Sequence, residues 1–139
     1  MLVAVDGSAN SKRAADRAIS IAKRLGAELY IVTAITIPVL ATGAMAPSLE
    51  TYFDSMEKDG KALLEGLAAQ SRKEGVKTAT AVLDNVTSAV LAITSYADEK
   101  HVDMIVVGSR GMGGFKRLLL GSVSSGVLNH AHCSVMVVR

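Results

Sequence analysis

Residues 2–35 read LVAVDGSANSKRAADRAISIAKRLGAELYIVTAI, and two periodicities alternate within them. Leu2–Val5 is a short apolar run, partly β-branched, that stops at Asp6-Gly7. Such a run marks a strand buried on both faces. Ala14, Ala18, Ile21, Ala22 and Leu25 then recur at helical spacing, with Ser8 placed to cap the start, Lys23 and Arg24 in the last turn and Gly26 as the stop. Glu28–Ile35 returns to a nearly continuous apolar run, a second strand. Strand, amphipathic helix and strand in succession form the repeating unit of a parallel sheet, because parallel neighbours need a crossover.

The rest of the chain repeats the alternation. Thr36–Ser48 contains both prolines, Pro38 and Pro47, and reads as a loop. Leu49, Phe53, Met56, Leu63 and Leu67 share one face of a long helix that Gly75 ends, and Gly60 lies on that face, where it admits a close neighbour. Lys77–Leu83 is a third strand. Val86, Val90, Ile93 and Ala97 mark a helix begun by Asn85, Thr87 or Ser88. Met104–Val107 is a fourth strand, followed by the glycine-rich stretch Gly108–Gly121 and a short helix from Ser122 that uses Val123, Val127 and Leu128. Val135–Val138 closes the chain as a fifth strand. The order βαβαβαβαβ predicts one α/β domain over residues 1–139, an open five-stranded parallel sheet with helices on both faces.

Composition narrows the function. Of 139 residues half are apolar and a fifth are charged, and the formal net charge is +2, so the chain reads as an ordinary folded domain. The basic excess is too small for a nucleic-acid partner. No apolar run approaches the ~18–20 residues of a membrane span. The opening MLVAVDGS has no charged n-region or apolar h-region, which sets the expected location as cytoplasmic. Cys133 has no cysteine to pair with; it reads as a small apolar residue at the start of the last strand. His101, His130 and His132 lack metal-site spacing, and Met45 and Met56 read as loop or packing residues. There is no G-x-x-x-x-G-K-[ST], no G-x-G-x-x-G after the first strand and no G-x-S-x-G nucleophile.

Ligands of open parallel sheets bind beyond the carboxyl ends of the strands, where strand order reverses. That rule selects Asp6, Ala34 to Thr36, Asp84 and Gly108. Glycines 108, 111, 113 and 114 directly follow a strand, which lets the backbone approach a ligand and form an anion-binding nest. Gly121-Ser122 opens a helix whose first-turn N–H groups and positive dipole end suit phosphate, and Ser122 and Ser124 add hydroxyls. From Met104 to Arg139 there is no Asp or Glu, while Arg110, Lys116, Arg117 and Arg139 are basic. This acid-free third suits a small anion. Asp6 admits two roles, an Asx-turn with Gly7 and Ser8 or an acceptor for ribose hydroxyls.

These residues resemble the ATP-binding branch of the universal stress protein family. Gly108-Ser109-Arg110-Gly111, nine residues, then Gly121-Ser122 matches its G-x2-G-x9-G-[ST] pattern, and the opening V-A-V-D-G-S and closing C-S-V-M-V-V are similar to it as well. The resemblance implies an adenine nucleotide alpha hydrolase-like fold with strand order 3-2-1-4-5. It implies phosphate contacts from Gly108, Arg110, Gly111, Gly121, Ser122, Val123 and Ser124, largely through main-chain amides. Asp6 would lie by the ribose and adenine, Ala34 would offer backbone hydrogen bonds to adenine, and Val107 completes the nucleotide-binding set. Mg or Mn would be held by the phosphates, and a homodimer would form through Val135–Val138. The sequence departs from the family pattern at Ser134, where proline is usual, and at Asp84-Asn85-Val86, which replaces Gly-x-Pro. The expected function is an ATP-binding stress or regulatory module; the alternatives are a slow ATPase or phosphotransferase and a nucleotide-free dimeric scaffold.

Overall fold

Strand and helix alternate along the chain as β1 (Leu2–Ala4), α1 (Ala9–Leu25), β2 (Leu29–Thr36), α2 (Ala46–Lys73), β3 (Thr78–Val86), α3 (Ala89–Glu99), β4 (Met104–Gly108), α4 (Ser122–His130) and β5 (Ser134–Val138). The structure is a computed structural model and describes residues 1–36, 46–112 and 119–139. The strands form one parallel sheet in the order β3-β2-β1-β4-β5. The chain builds outward from β1 to β3, then crosses back to β4 on the other side of β1. The reversal therefore falls between β1 and β4, where Ala4 stands opposite Val107.

Each strand divides its side chains between two cores, as the period of two requires. Val3, Leu29, Ile31 and Val106 face α1 and α2, together with Ala14, Ala18, Ile19 and Leu64. Leu2, Val32, Ile105 and Val107 face α3 and α4, together with Ile93, Ala97 and Val127. A fully buried Ile or Val contributes about 2 kcal/mol through removal from water, which is why these strands are apolar without alternation.

The helix signals hold at the caps and shift on the faces. Ser8 caps α1 and Gly26 ends it in the left-handed conformation at φ 62°. The buried stripe of α1 is Ser11, Ala14, Ala15, Ala18, Ile19 and Ala22, so Ile19 takes the core position expected of Ile21, and Leu25 is exposed. On α2, Leu64, Ala68 and Ser71 are buried while Leu63 and Leu67 are partly covered. Small residues carry these stripes because both helices lie close on the sheet: a Cβ on Gly60 would meet Thr33 Cγ2 at 3.2 Å. Helix α2 begins at Ala46, within the stretch expected to be loop, and Thr36 belongs to β2. Pro38 and Met45 lie outside the described residues. Strand β3 runs on through Asp84-Asn85-Val86, so Val86 is a strand residue and α3 begins after its cap, Ser88. On α4 the core residues are Ser124 and Val127, and Val123 and Leu128 are exposed. Cys133 precedes β5 and packs, half-buried, against the α3–α4 core.

Candidate functional site

The crevice at the β1–β4 reversal is a cleft of about 590 Å³, within the range of small-ligand sites. All ten residues singled out from the sequence line it: Asp6, Ala34, Val107, Gly108, Arg110, Gly111, Gly121, Ser122, Val123 and Ser124. The expected neighbours Gly113, Gly114, Lys116 and Arg117 lie outside the described residues, and Asp84 lies at another hollow, beside Lys61 and Glu65.

One wall is built by the turn after β4. A Cβ on Gly108 would sit 2.8 Å from the backbone of Asn10 and Ser11, so only glycine lets the first turn of α1 rest on the end of β4. That docking brings α1 to the next residues. The Arg110 carbonyl accepts from Asn10 Nδ2 at 3.2 Å and lies 3.5 Å from the Ser8 hydroxyl. Asp6 Oδ2 accepts the Met112 N–H at 3.1 Å, and a Cβ on Gly111 would collide with that oxygen at 2.5 Å.

The opposite wall is the start of α4. Gly121 is its N-cap and supplies no side-chain hydrogen bond, so the first-turn amides of Ser122, Val123 and Ser124 have neither an intrahelical acceptor nor a capping oxygen. The two walls touch. Gly121 N–H donates to Ser109 O at 2.7 Å, and a Cβ on Gly121 would lie 3.6 Å from Gly111 N. The bare helix start thus stands beside the Gly111 amide. Ser124 is buried, with its hydroxyl 3.0 Å from both Ser109 O and Gly121 O. It ties the walls together and is not the hydroxyl donor expected; its inward rotamer follows from its place on the core stripe of α4.

Asp6 realises the Asx-turn, with Ser8 N–H donating to Oδ1 at 3.0 Å beside Gly7 at φ 84°. Burial opposes its charge, yet hydrogen bonds involving Ser8, Ser11 and Met112 outweigh burial and hold the carboxyl below its usual 3.8. Asp6 and Arg110 are the charged residues among the described lining. The apolar floor adds Ala4, Ala89 and Ile93, which local pattern did not single out, and Met112 closes the rim. Position just past the cap Ser88 was the available signal for Ala89. His101, His130 and His132 are exposed, and no cluster of His, Cys, Asp or Glu suited to a metal occurs among the described residues.

The profile of the universal stress protein family matches residues 1–139. The chain belongs to this family. Among its relatives, universal stress protein YxiE of Bacillus subtilis is 36% identical, with 100% of this chain and 97% of that protein covered. The structure of universal stress protein UspA from Lactobacillus plantarum superposes with a TM-score of 0.91 at 27% identity, covering 99% of this chain and 95% of that one. A universal stress protein crystallised with cAMP superposes with a TM-score of 0.73 at 29% identity, covering 99% and 94%. The fold is the adenine nucleotide alpha hydrolase-like one, as the resemblance implied. No helix among the described residues is long and apolar enough to cross a membrane.

Proposed function

We propose that this universal stress protein binds an adenine nucleotide, ATP in the first instance, and acts as a nucleotide-dependent regulatory module. The observation that carries the reading is the uncapped start of α4 lying beside the Gly111 amide at the topological switch point. Main-chain donors from Gly108, Gly111, Ser122, Val123 and Ser124, with the Arg110 side chain, take the phosphates. Asp6 accepts from the ribose, and Ala34, Val107 and the small Ala4 and Ala89 leave an apolar slot for the base. The cAMP complex of a relative supports an adenine nucleotide as the class. Both Asp6 oxygens already accept backbone hydrogen bonds, so Mg or Mn would be held by the nucleotide's own phosphates and would screen their charge.

The homodimer belongs to the same proposal. β5 is an edge strand whose Val135, Met136, Val137 and Val138 are all only partly buried, and an apolar edge needs covering. Pairing across a two-fold axis would cover it.

The test begins with protein as purified, denatured and its supernatant chromatographed for released nucleotide. Stripped protein is then titrated with Mg-ATP, ADP, AMP and cAMP. At a hundredfold excess over Kd the ligand adds about 2.7 kcal/mol, a Tm rise on the order of 8 °C. No released nucleotide and no shift would favour the nucleotide-free scaffold. Turnover above blank that vanishes in Asp6→Ala or Arg110→Ala would replace the binding reading with an enzymatic one.

A further inference from the structure

We infer that Asn10, a residue of α1 outside the motif, is a positioning residue for phosphate: it orients the Arg110–Gly111 peptide so that the Gly111 N–H faces the cleft. The inference rests on the nucleotide reading and assigns a donor within it. Asn10 Nδ2 donates to the Arg110 carbonyl at 3.2 Å, across 100 residues of sequence. Arg13 Nη2 donates to the other end of the same amide, Asn10 Oδ1. An amide with its oxygen held by a guanidinium must present its NH2 group on the opposite side, so the pair fixes which atom meets the carbonyl.

The consequence follows from peptide geometry. The described peptide bonds are all trans, and in a trans peptide the C=O and N–H point in opposite directions. With the Arg110 carbonyl held toward the first turn of α1, the Gly111 N–H points away from α1, toward the start of α4. The Gly121 Cβ position lies 3.6 Å from Gly111 N and 3.4 Å from Arg110 Cα, the atom on the N–H side of that trans peptide. Among the described residues nothing accepts from the Gly111 N–H. The next amide, Met112 N–H, is turned back onto Asp6 Oδ2. Asn10 and Asp6 thus sort two successive amides, one presented to the ligand and one retained by the fold.

The test compares ATP with adenosine, which shares the base and ribose and lacks phosphate. Calorimetric titrations are run on wild type, Asn10→Ala and Asn10→Asp; the aspartate keeps the shape and replaces the donor with an acceptor. Loss of one oriented donor to a phosphate is expected to weaken ATP by about tenfold or more in both variants, with adenosine within about twofold and the free-protein Tm nearly unchanged. In NMR titrations of the labelled chain, the Gly111 amide shift on ATP addition should shrink in both. ATP and adenosine weakened in parallel, or ATP affinity unchanged in a folded variant, would overturn the role of Asn10 and leave the nucleotide reading standing. A wild-type chain that binds neither ligand would overturn both.

Discussion

Helices α1 and α4 begin at the same end of the sheet on adjacent sides of the cleft, and they treat their first-turn amides in opposite ways. Ser8 closes α1 with its own side chain, its Oγ accepting from Ser11 N at 3.2 Å. Ser88 does the same for α3, accepting from Leu91 N. Gly121 leaves α4 without any such bond. Every helix start leaves N–H groups that need an acceptor. Where the chain supplies the acceptor, the start is closed by the fold; where it withholds it beside a cavity, the start is left open to an acceptor from outside the chain, as the proposed nucleotide site requires. The two starts hold successive residues of the turn after β4: Gly121 and Ser124 hold the Ser109 carbonyl from the α4 side, and Asn10 holds the Arg110 carbonyl from the α1 side.

The largest effect expected comes from separating the two walls. Gly108→Ala would drive a Cβ to 2.8 Å from the backbone of α1, where no side-chain rotation relieves it. A loss of about 3 kcal/mol, or roughly 10 °C in Tm, is expected in thermal denaturation, and ATP binding would fail with it. Next comes an exchange of helix starts. Gly121 has φ −78° and ψ 169°, open to any residue, so Gly121→Asp should close α4 as Ser8 closes α1. The free protein should be as stable or slightly more so, while ATP affinity falls about a hundredfold through an occupied helix start and a repelling carboxylate. Retained affinity in that variant would break the comparison.

Ser8→Ala tests the closed start. Losing the cap should cost about 1 kcal/mol and lower Tm by roughly 4 °C, with ATP affinity changing by less than about threefold. The smallest effect is in pH. Because the folded Asp6 carboxyl sits below 3.8, its contribution to stability is present above that value and is lost as the pH falls through the lower folded one. Asp6→Asn should therefore flatten the acid limb of a Tm-against-pH curve and leave the neutral region parallel to wild type. An unaltered acid limb would show that the Ser8 and Met112 hydrogen bonds do not favour the ionised form.

Much of this is legible along the chain, and the places where the structure departs from the residue pattern have physical causes. The caps Ser8 and Gly26 are legible because capping depends on a few neighbouring residues. The residue pattern turns the buried face of α1 toward Ile21 and Leu25 because large apolar residues dominate a periodicity count, while the face that meets the sheet is mostly alanine. The residue pattern ends β3 at Leu83 because Asn85 is a good helix cap and Val86 fits the helical spacing that follows; pairing with β2, resumed past the register shift at Ala34/Thr36, carries the strand on to Val86. Val123 and Leu128 belong to the apolar pattern of α4 and are both exposed, because α4 is seated by Ser124 and Val127; Val123 lines the cleft, as the motif implies.

The residue pattern by itself determined the alternation of strand and helix, the two-faced burial of the strands and the glycine spacing of the turn after β4, since each is a property of near neighbours. Tertiary structure alone decided that Asn10 reaches Arg110, that Asp6 holds Met112, and that Ala4, Ala89 and Ile93 floor the same cleft. Those partners are joined by the parallel register of β1 on β4 and by the helices that cross over the sheet, and no local periodicity carries information about which distant strand a strand will lie against.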